Sequence, residues 1–251
     1  GLWPATLPFL MFDVIFVGVA SAITSLITAS LGLGGGVLLL ALLGQILPPV
    51  ALIPIHGVGQ FFSNIGRAYV HRAYLEWDYL RGFFLGSAAG SLLVLPLVSL
   101  LGGRFAGLFL GAFILIATWR TQWLKLFRWH PAFSGAITSA LSMLFGATGP
   151  LVMSVVPNED WPRQSVVGSH GAAMSFQHGF KTLAFGLIGF ELLAYWQIIL
   201  ALLMGAVAGN ILGQRVLSKI SDQRFRIILK WVLTLLAMRM VVLASWDLWG
   251  A

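Results

Sequence analysis

Gly32-Leu33-Gly34-Gly35-Gly36 interrupts a long apolar run, and 114 residues later the chain breaks again at Gly146-Ala147-Thr148-Gly149-Pro150. The landmarks around the break travel with it: Pro48 returns as Pro162, His56 as His170 and Gly57 as Gly171, all at the same spacing of 114. Farther on, Gly86-Ser87-Ala88-Ala89-Gly90 returns as Gly205-Ala206-Val207-Ala208-Gly209 after 119 residues, and Arg104-Phe105 as Arg224-Phe225 after 120, so the second copy holds a few extra residues. The chain therefore reads as a duplicated unit, with a first repeat over 1–126 and a second over 127–251. A long fixed period of this kind must be recognised before any fold is assigned.

Composition sets the environment of the two copies. Apolar residues make up 59% of the chain and charged residues 9%, against about 25% charged in soluble domains, and the mean hydropathy is +0.92. This is the composition of a polytopic membrane protein, with no polar stretch long enough for a separate soluble domain. Duplication in such a chain predicts a secondary transporter whose halves move around a shared site. The chain lacks Cys, which removes disulfides, thiolate metal sites and Cys nucleophiles. The net charge of +7 sits in short clusters such as Arg120, Lys125 and Arg128, which fit positive-inside topology rather than nucleic acid. The chain begins at Gly1 without Met, so a few preceding residues are expected. The run from Leu7 to Ile27 is too long and continuous for a signal-peptide core.

Apolar runs fall at 9–31, 36–47, 52–70, 79–100, 104–124, 131–146, 150–157, 165–188, 195–217 and 224–246. Crossing the hydrocarbon takes about 20 residues, so 36–47 and 150–157 are short crossings or return arms of re-entrant hairpins, each following a glycine-rich break. If both breaks reverse the chain, the clusters Arg67–Arg81, Arg120–Arg128, Arg163 and Arg215–Arg226 share one side, as the positive-inside rule asks. The other side then receives little beyond Asp13, Arg104, Glu191 and Asp247. Both termini are thereby placed outside. Each copy makes an odd number of traverses, so the copies have opposite orientation. The expected fold is an all-α integral membrane protein of two inverted repeats, each with about five helical segments.

In the third segment of the first copy, His56, Gln60, Ser63, Asn64 and Arg67 recur at i, i+4, i+7, i+8 and i+11, which makes one helix stripe. Its equivalent is His170, Met174, Gln177, His178 and Lys181. Polar groups within the hydrocarbon are expensive and usually face a cavity. Their simpler role would be interhelical hydrogen bonding, and Arg67 alone could be a positive-inside residue at a helix end. Unwound glycine-rich backbone is tolerated at membrane depth only beside protein or a water-filled cavity, where amides at a new helix start can point at an anion. The competing reading is close packing of small residues, the expectation for Gly86, Gly90, Gly205 and Gly209. Carboxylates suited to a cation are missing from the stripes: Asp13, Glu76, Asp78, Glu159, Asp160, Glu191, Asp222 and Asp247 all fall at segment ends or in loops.

Enzymatic readings fare poorly. Gly146-Ala147-Thr148-Gly149 is loosely similar to an intramembrane serine-protease loop, but Thr stands where the nucleophile would be. The His-Glu helix pattern of zinc hydrolases is missing. Trp77, Tyr79, Trp119, Trp123, Trp129, Trp161, Tyr195, Trp196, Trp246 and Trp249 cluster at segment ends and read as interfacial belts.

With Gly32-Leu33-Gly34-Gly35-Gly36 followed by Pro48 or Pro49, the His56-to-Arg67 segment, Glu76-Trp77-Asp78 before the glycine-spaced helix, and the return of the whole pattern, the chain resembles the TauE/SafE sulfite exporters of the toluene-sulfonate uptake permease superfamily. The resemblance covers nearly the whole chain. It implies an inner-membrane transporter of sulfite, sulfonates or related organosulfur anions with an inverted-repeat helical fold, and it places substrate-facing tips at Gly34, Gly35, Gly36, Thr148 and Gly149. Pro150 departs from Gly36 of the first copy, since it lacks an N–H. The residues expected at the anion are those tips with His56, Gln60, Asn64, Arg67, His170, Gln177, His178 and Lys181. No enzyme activity, cofactor, metal or nucleic acid is expected. The expected partners are the small sulfur-containing anion and membrane lipid, and a homo-oligomer is compatible with the sequence. An anion channel, or a membrane-embedded enzyme or accessory subunit, is the alternative.

Overall fold

The computed structural model describes residues 9–31, 34–101, 106–119, 130–156, 161–216 and 222–249. Arg104, the Arg120–Arg128 cluster, Lys219, the junction at 126/127 and both termini lie outside them. The described residues are helical, without a strand: α1 (Met11–Leu31), α2 (Gly35–Leu43), α3 (Pro49–Val70), α4 (Trp77–Leu101), α5 (Ala106–Trp119), α6 (Pro131–Phe145), α7 (Gly149–Val155), α8 (Arg163–Leu187), α9 (Trp196–Val216) and α10 (Asp222–Trp249), with 3-10 turns at Arg72–Tyr74 and Leu192–Tyr195. All ten expected segments are present. Three stretches, Met11–Ala29, Trp77–Val98 and Leu192–Gly213, are long and apolar enough to cross a membrane. α3 and α8 carry the polar stripes, and Pro131–Phe145 and Leu233–Trp246 are shorter apolar helices. At about 1.5 Å per residue, nine-residue α2 and seven-residue α7 are each too short to cross about 30 Å of hydrocarbon.

Local signals explain the boundaries. Asp13 opens α1 by accepting the Leu10 amide at 3.0 Å, a carboxylate at a helix N-terminus. Pro occupies the first turn of α3, α6 and α7, where its missing N–H costs nothing. Gly34 (φ 97°) precedes α2 and Gly146 (φ 83°) closes α6, left-handed positions that favour glycine.

The packing crosses between the copies. Gly18, Ala22 and Leu26 of α1 run alongside Gly205, Gly209 and Gly213 of α9, and Ala132 and Ala136 of α6 run alongside Gly86 and Gly90 of α4. These are equivalent residue pairs in the two copies, and both helix pairs are parallel. An ideal Cβ on Gly86 would lie 1.8 Å from the Ala132 carbonyl oxygen, and one on Gly209 2.1 Å from that of Ala22. The small-residue spacing therefore brings backbone onto backbone, the main source of helix association where lipid is as apolar as Leu. Two further pairs join equivalent helices and are antiparallel. Gly57 of α3 meets Lys181 of α8 while Asn64 and Arg67 meet Gly171, and Gly111 of α5 meets Val241 of α10 while Trp119 meets Trp231. α1 and α3 are parallel, because Ser25 bonds Ser63 and Thr28 bonds Arg67, so the chain reverses between them as the glycine break predicts.

The aromatic belt holds in part. Trp77, Trp119, Trp196 and Trp246 are exposed, but Tyr79 and Tyr195 are buried. Tyr79 stacks on Phe83 and meets Trp161 edge-on, and Tyr195 stacks on Phe190. Near a helix start, a ring can turn inward as readily as out, and these two fill the core.

Candidate functional site

The stripes of α3 and α8 face each other. His56, Gln60, Ser63, Asn64 and Arg67 are at most 4% exposed, and His170, Gln177, His178 and Lys181 at most 2%. The glycine after each His admits the cation of the other copy. An ideal Cβ on Gly57 would lie 2.9 Å from Lys181 Cε, and one on Gly171 3.2 Å from Arg67 Nε. Sequence spacing thus brought together all the polar stripe residues it nominated.

Hydrogen bonds fix the state of two imidazoles. His56 Nε2 donates to the Gly36 carbonyl at 2.8 Å and His170 Nε2 to that of Gly149 at 3.1 Å. A carbonyl can only accept, so each Nε2 carries the hydrogen, and in the neutral ring Nδ1 presents a lone pair. Arg67 Nη2 donates to His170 Nδ1 at 3.1 Å and to Asn64 Oδ1, and Nη1 to the Thr28 carbonyl at 3.3 Å. Lys181 Nζ donates instead within its own copy, to Ser142 Oγ at 3.1 Å and the Gly146 carbonyl at 2.7 Å. The His56 and His178 rings lie 5.6 Å apart, edge to face.

The glycine tips divide their roles. Gly34 supplies the turn. Gly35 is a packing residue: an ideal Cβ there would lie 2.0 Å from the Thr24 carbonyl oxygen. Gly36 presents its carbonyl to His56, and its α-carbon makes room for the Gln60 amide. In the second copy Thr148 accepts from Gln177 Nε2, and Gly149 presents its carbonyl to His170. Residues that the stripe analysis missed hold these groups from the first helix of each copy. Thr28 and Ser142 receive Arg67 and Lys181, and Ser25 Oγ donates to Ser63 Oγ at 2.9 Å. Their signal was in the sequence, since Ser25 and Thr28 return at 139 and 142 as Ser139 and Ser142.

Chemically the cluster is rich in N–H and O–H donors and poor in negative charge. Both partners of Lys181 are neutral oxygens, and the ion pair formed among the described residues is the exposed Asp78–Arg81 contact. No group of three His, Asp or Glu residues is placed to hold a metal ion among the described residues. Just outside the bundle, burial and then the positive charge of Arg67 hold the His71 imidazole below its ordinary range, so the cation is felt beyond its own helix turn.

No curated protein and no solved structure matches the chain. The family model described as "Sulfite exporter TauE/SafE" matches residues 16–240, from within α1 to within α10 and across both polar stripes. An apolar helical chain with membrane-crossing helices, matched over nearly its whole length, belongs to the sulfite exporter TauE/SafE family, a family of membrane transporters.

Proposed function

We propose that this protein is a secondary transporter that exports sulfite, sulfonates or related organosulfur anions across the inner membrane by alternating access, with two inverted repeats over 1–126 and 127–251. The observation that carries the reading is Lys181, fully buried and bonded only to neutral oxygens among the described residues. A charged residue near the bilayer centre costs about 2.5–3.5 kcal/mol on insertion scales, and a visiting anion offsets that cost. The antiparallel packing of equivalent helices α3 with α8 and α5 with α10 supports inversion, because copies related by an axis along the membrane normal would set equivalent helices parallel. The anion is held between the stripes by His56, Gln60, Asn64, Arg67, His170, Gln177, His178 and Lys181, beside the tips at Gly34, Gly36, Thr148 and Gly149.

Liposomes loaded with sulfite should show saturable uptake of labelled sulfite and counter-flow. Linear, non-exchanging flux at far higher rates would mean a channel. His56→Ala and His170→Ala should each lower flux more than thermal stability, measured on the same preparations. A loss of stability in proportion to flux would make both residues structural. Topology has its own test, since the native chain lacks Cys. A single Cys replacing Lys125 should resist an impermeant maleimide applied to intact cells, and labelling from outside would overturn the orientation with both termini extracytoplasmic.

A further inference from the structure

The site has two equivalent halves, each built from residues of both copies, and they carry one polar constellation in two different states. In the first, every member is bonded. Ser25 Oγ donates to Ser63 Oγ, Asn210 Nδ2 donates to the Ser63 carbonyl at 3.0 Å, Asn64 Nδ2 donates to the Gln60 carbonyl at 2.7 Å, and His170 Nδ1 accepts from Arg67. At the repeat spacings of 114 and 119, the matching positions are Ser139 for Ser25, Gln177 for Ser63, Ser91 for Asn210, His178 for Asn64 and His56 for His170. All five are at most 1% exposed. Each holds a polar atom without a partner: Ser139 Oγ, Ser91 Oγ, Gln177 Oε1, His56 Nδ1 and both ring nitrogens of His178.

These atoms belong to one neighbourhood. An ideal Cβ on Gly135 would lie 3.0 Å from the Ser87 amide, which places Ser139 and Ser91 one turn farther along the same parallel seam. Lys181 ties α8 to Ser142, one turn beyond Ser139, and the His56 ring lies against that of His178. Buried polar atoms are nearly always paired, so open ones at five positions whose equivalents are all bonded mark a place kept for a ligand. Their chemistry is mixed. Ser139, Ser91, one nitrogen of His178 and the third N–H of Lys181 are donors, whereas His56 Nδ1 and Gln177 Oε1 are acceptors.

We propose that the transported ligand binds in the half of the site around Lys181, Ser139 and Ser91, and that it is a sulfur oxyanion bearing a hydrogen-bond donor of its own, as in hydrogen sulfite or a hydroxyalkane- or aminoalkanesulfonate. The oxyanion oxygens take the donors, and the ligand's own O–H or N–H meets His56 Nδ1 and Gln177 Oε1. In this conformation the other half is the same site closed on itself, with Arg67 engaged by Asn64, His170 and Thr28, and its groups meet the anion in the alternate state. This inference rests on the anion-transport reading and deepens it, naming two further binding residues and a preference among substrates.

Calorimetric titration of the full chain in lipid nanodiscs tests it with sulfite and three sulfonates: ethanesulfonate, 2-hydroxyethanesulfonate and 2-aminoethanesulfonate. A buried hydrogen bond contributes on the order of tenfold in affinity, and more where one partner is charged. Either donor-bearing sulfonate should therefore bind about tenfold tighter than ethanesulfonate. A hydroxyl preferred over an ammonium would identify an O–H ligand, and the reverse an N–H ligand. Ser139→Ala and Ser91→Ala should each weaken binding about tenfold at unchanged melting temperature, with Ser139→Thr retaining the hydroxyl and the affinity. Ser25→Ala, in the closed half, should leave affinity within about twofold. Equal affinity for all three sulfonates, or wild-type affinity in both Ser→Ala variants while sulfite still binds the native chain, would overturn the proposal and leave the transport reading standing. A native chain that binds none of the four probes would sink the transport reading itself.

Discussion

Replacing Lys181 by Gln is expected to weaken anion binding by about two orders of magnitude or more, because truncating one partner of a buried, hydrogen-bonded charge pair costs about 2–5 kcal/mol and each 1.4 kcal/mol is a factor of about ten. Folding should survive. The ammonium is 0% exposed and its acceptors, Ser142 Oγ and the Gly146 carbonyl, are neutral, so Gln can donate to either without leaving a buried charge behind. Lys181→Arg keeps the charge but presents a planar fork in place of a compact ammonium and should give partial function. The competing role is a cation capping the C-terminal end of α6, where the carbonyl dipoles favour positive charge. Calorimetry with sulfite separates the two: unchanged affinity in Lys181→Gln, with a lowered melting temperature, would leave Lys181 as a cap alone.

The largest expected effect on folding lies at the glycine seams between helices. Gly90→Leu and Gly209→Leu should each abolish the monodisperse folded protein, because an ideal Cβ would come within 2.0 Å of the Ala136 carbonyl oxygen and 2.1 Å of that of Ala22. Overpacking a core ordinarily costs about 1–3 kcal/mol because side chains shift. Here the obstacle is backbone of a neighbouring helix, which moves only if the helix pair separates. Gly186, with nothing within 4 Å of its ideal Cβ, is the control, and Gly186→Ala should change stability by no more than about 1 kcal/mol, the propensity difference between the two residues. Size-exclusion profiles and melting temperatures of the three variants decide it. Folded Gly90→Leu would mean that α4 and α6 are not held by this contact.

The ten segments and the facing stripes of α3 and α8 were legible in the sequence because each rests on a period: about 20 apolar residues between breaks, a helical spacing of His56 to Arg67, and a return of both after 114 residues. What one glycine does at a break was not legible. Gly35 and Gly36 are chemically identical, and only the neighbour each meets, the α1 backbone or the Gln60 amide, tells a packing residue from one beside the site. Thr28 and Ser142 escaped because Thr and Ser are common in apolar helices, and Thr28 also bonds the Thr24 carbonyl one turn back, as such residues do anywhere. The sequence equally could not show that Arg67 engages across the copies and Lys181 within its own. That difference follows from reach and fork geometry.

The parallel pairing of α1 with α9 and of α6 with α4 bears on how the chain is made. α1 is synthesised first, yet the helix against which its glycine and alanine face closes begins only at Trp196. At about 5–20 residues per second, α1 waits in the bilayer for on the order of ten seconds or more with its seam of Gly18, Ser21 and Ala22 turned to lipid or to the translocation machinery. The nascent first half is thus an unfinished object that no release at mid-chain could complete. Quality control by membrane proteases would be most consequential in that interval, before the ribosome delivers the partner strand of the weave.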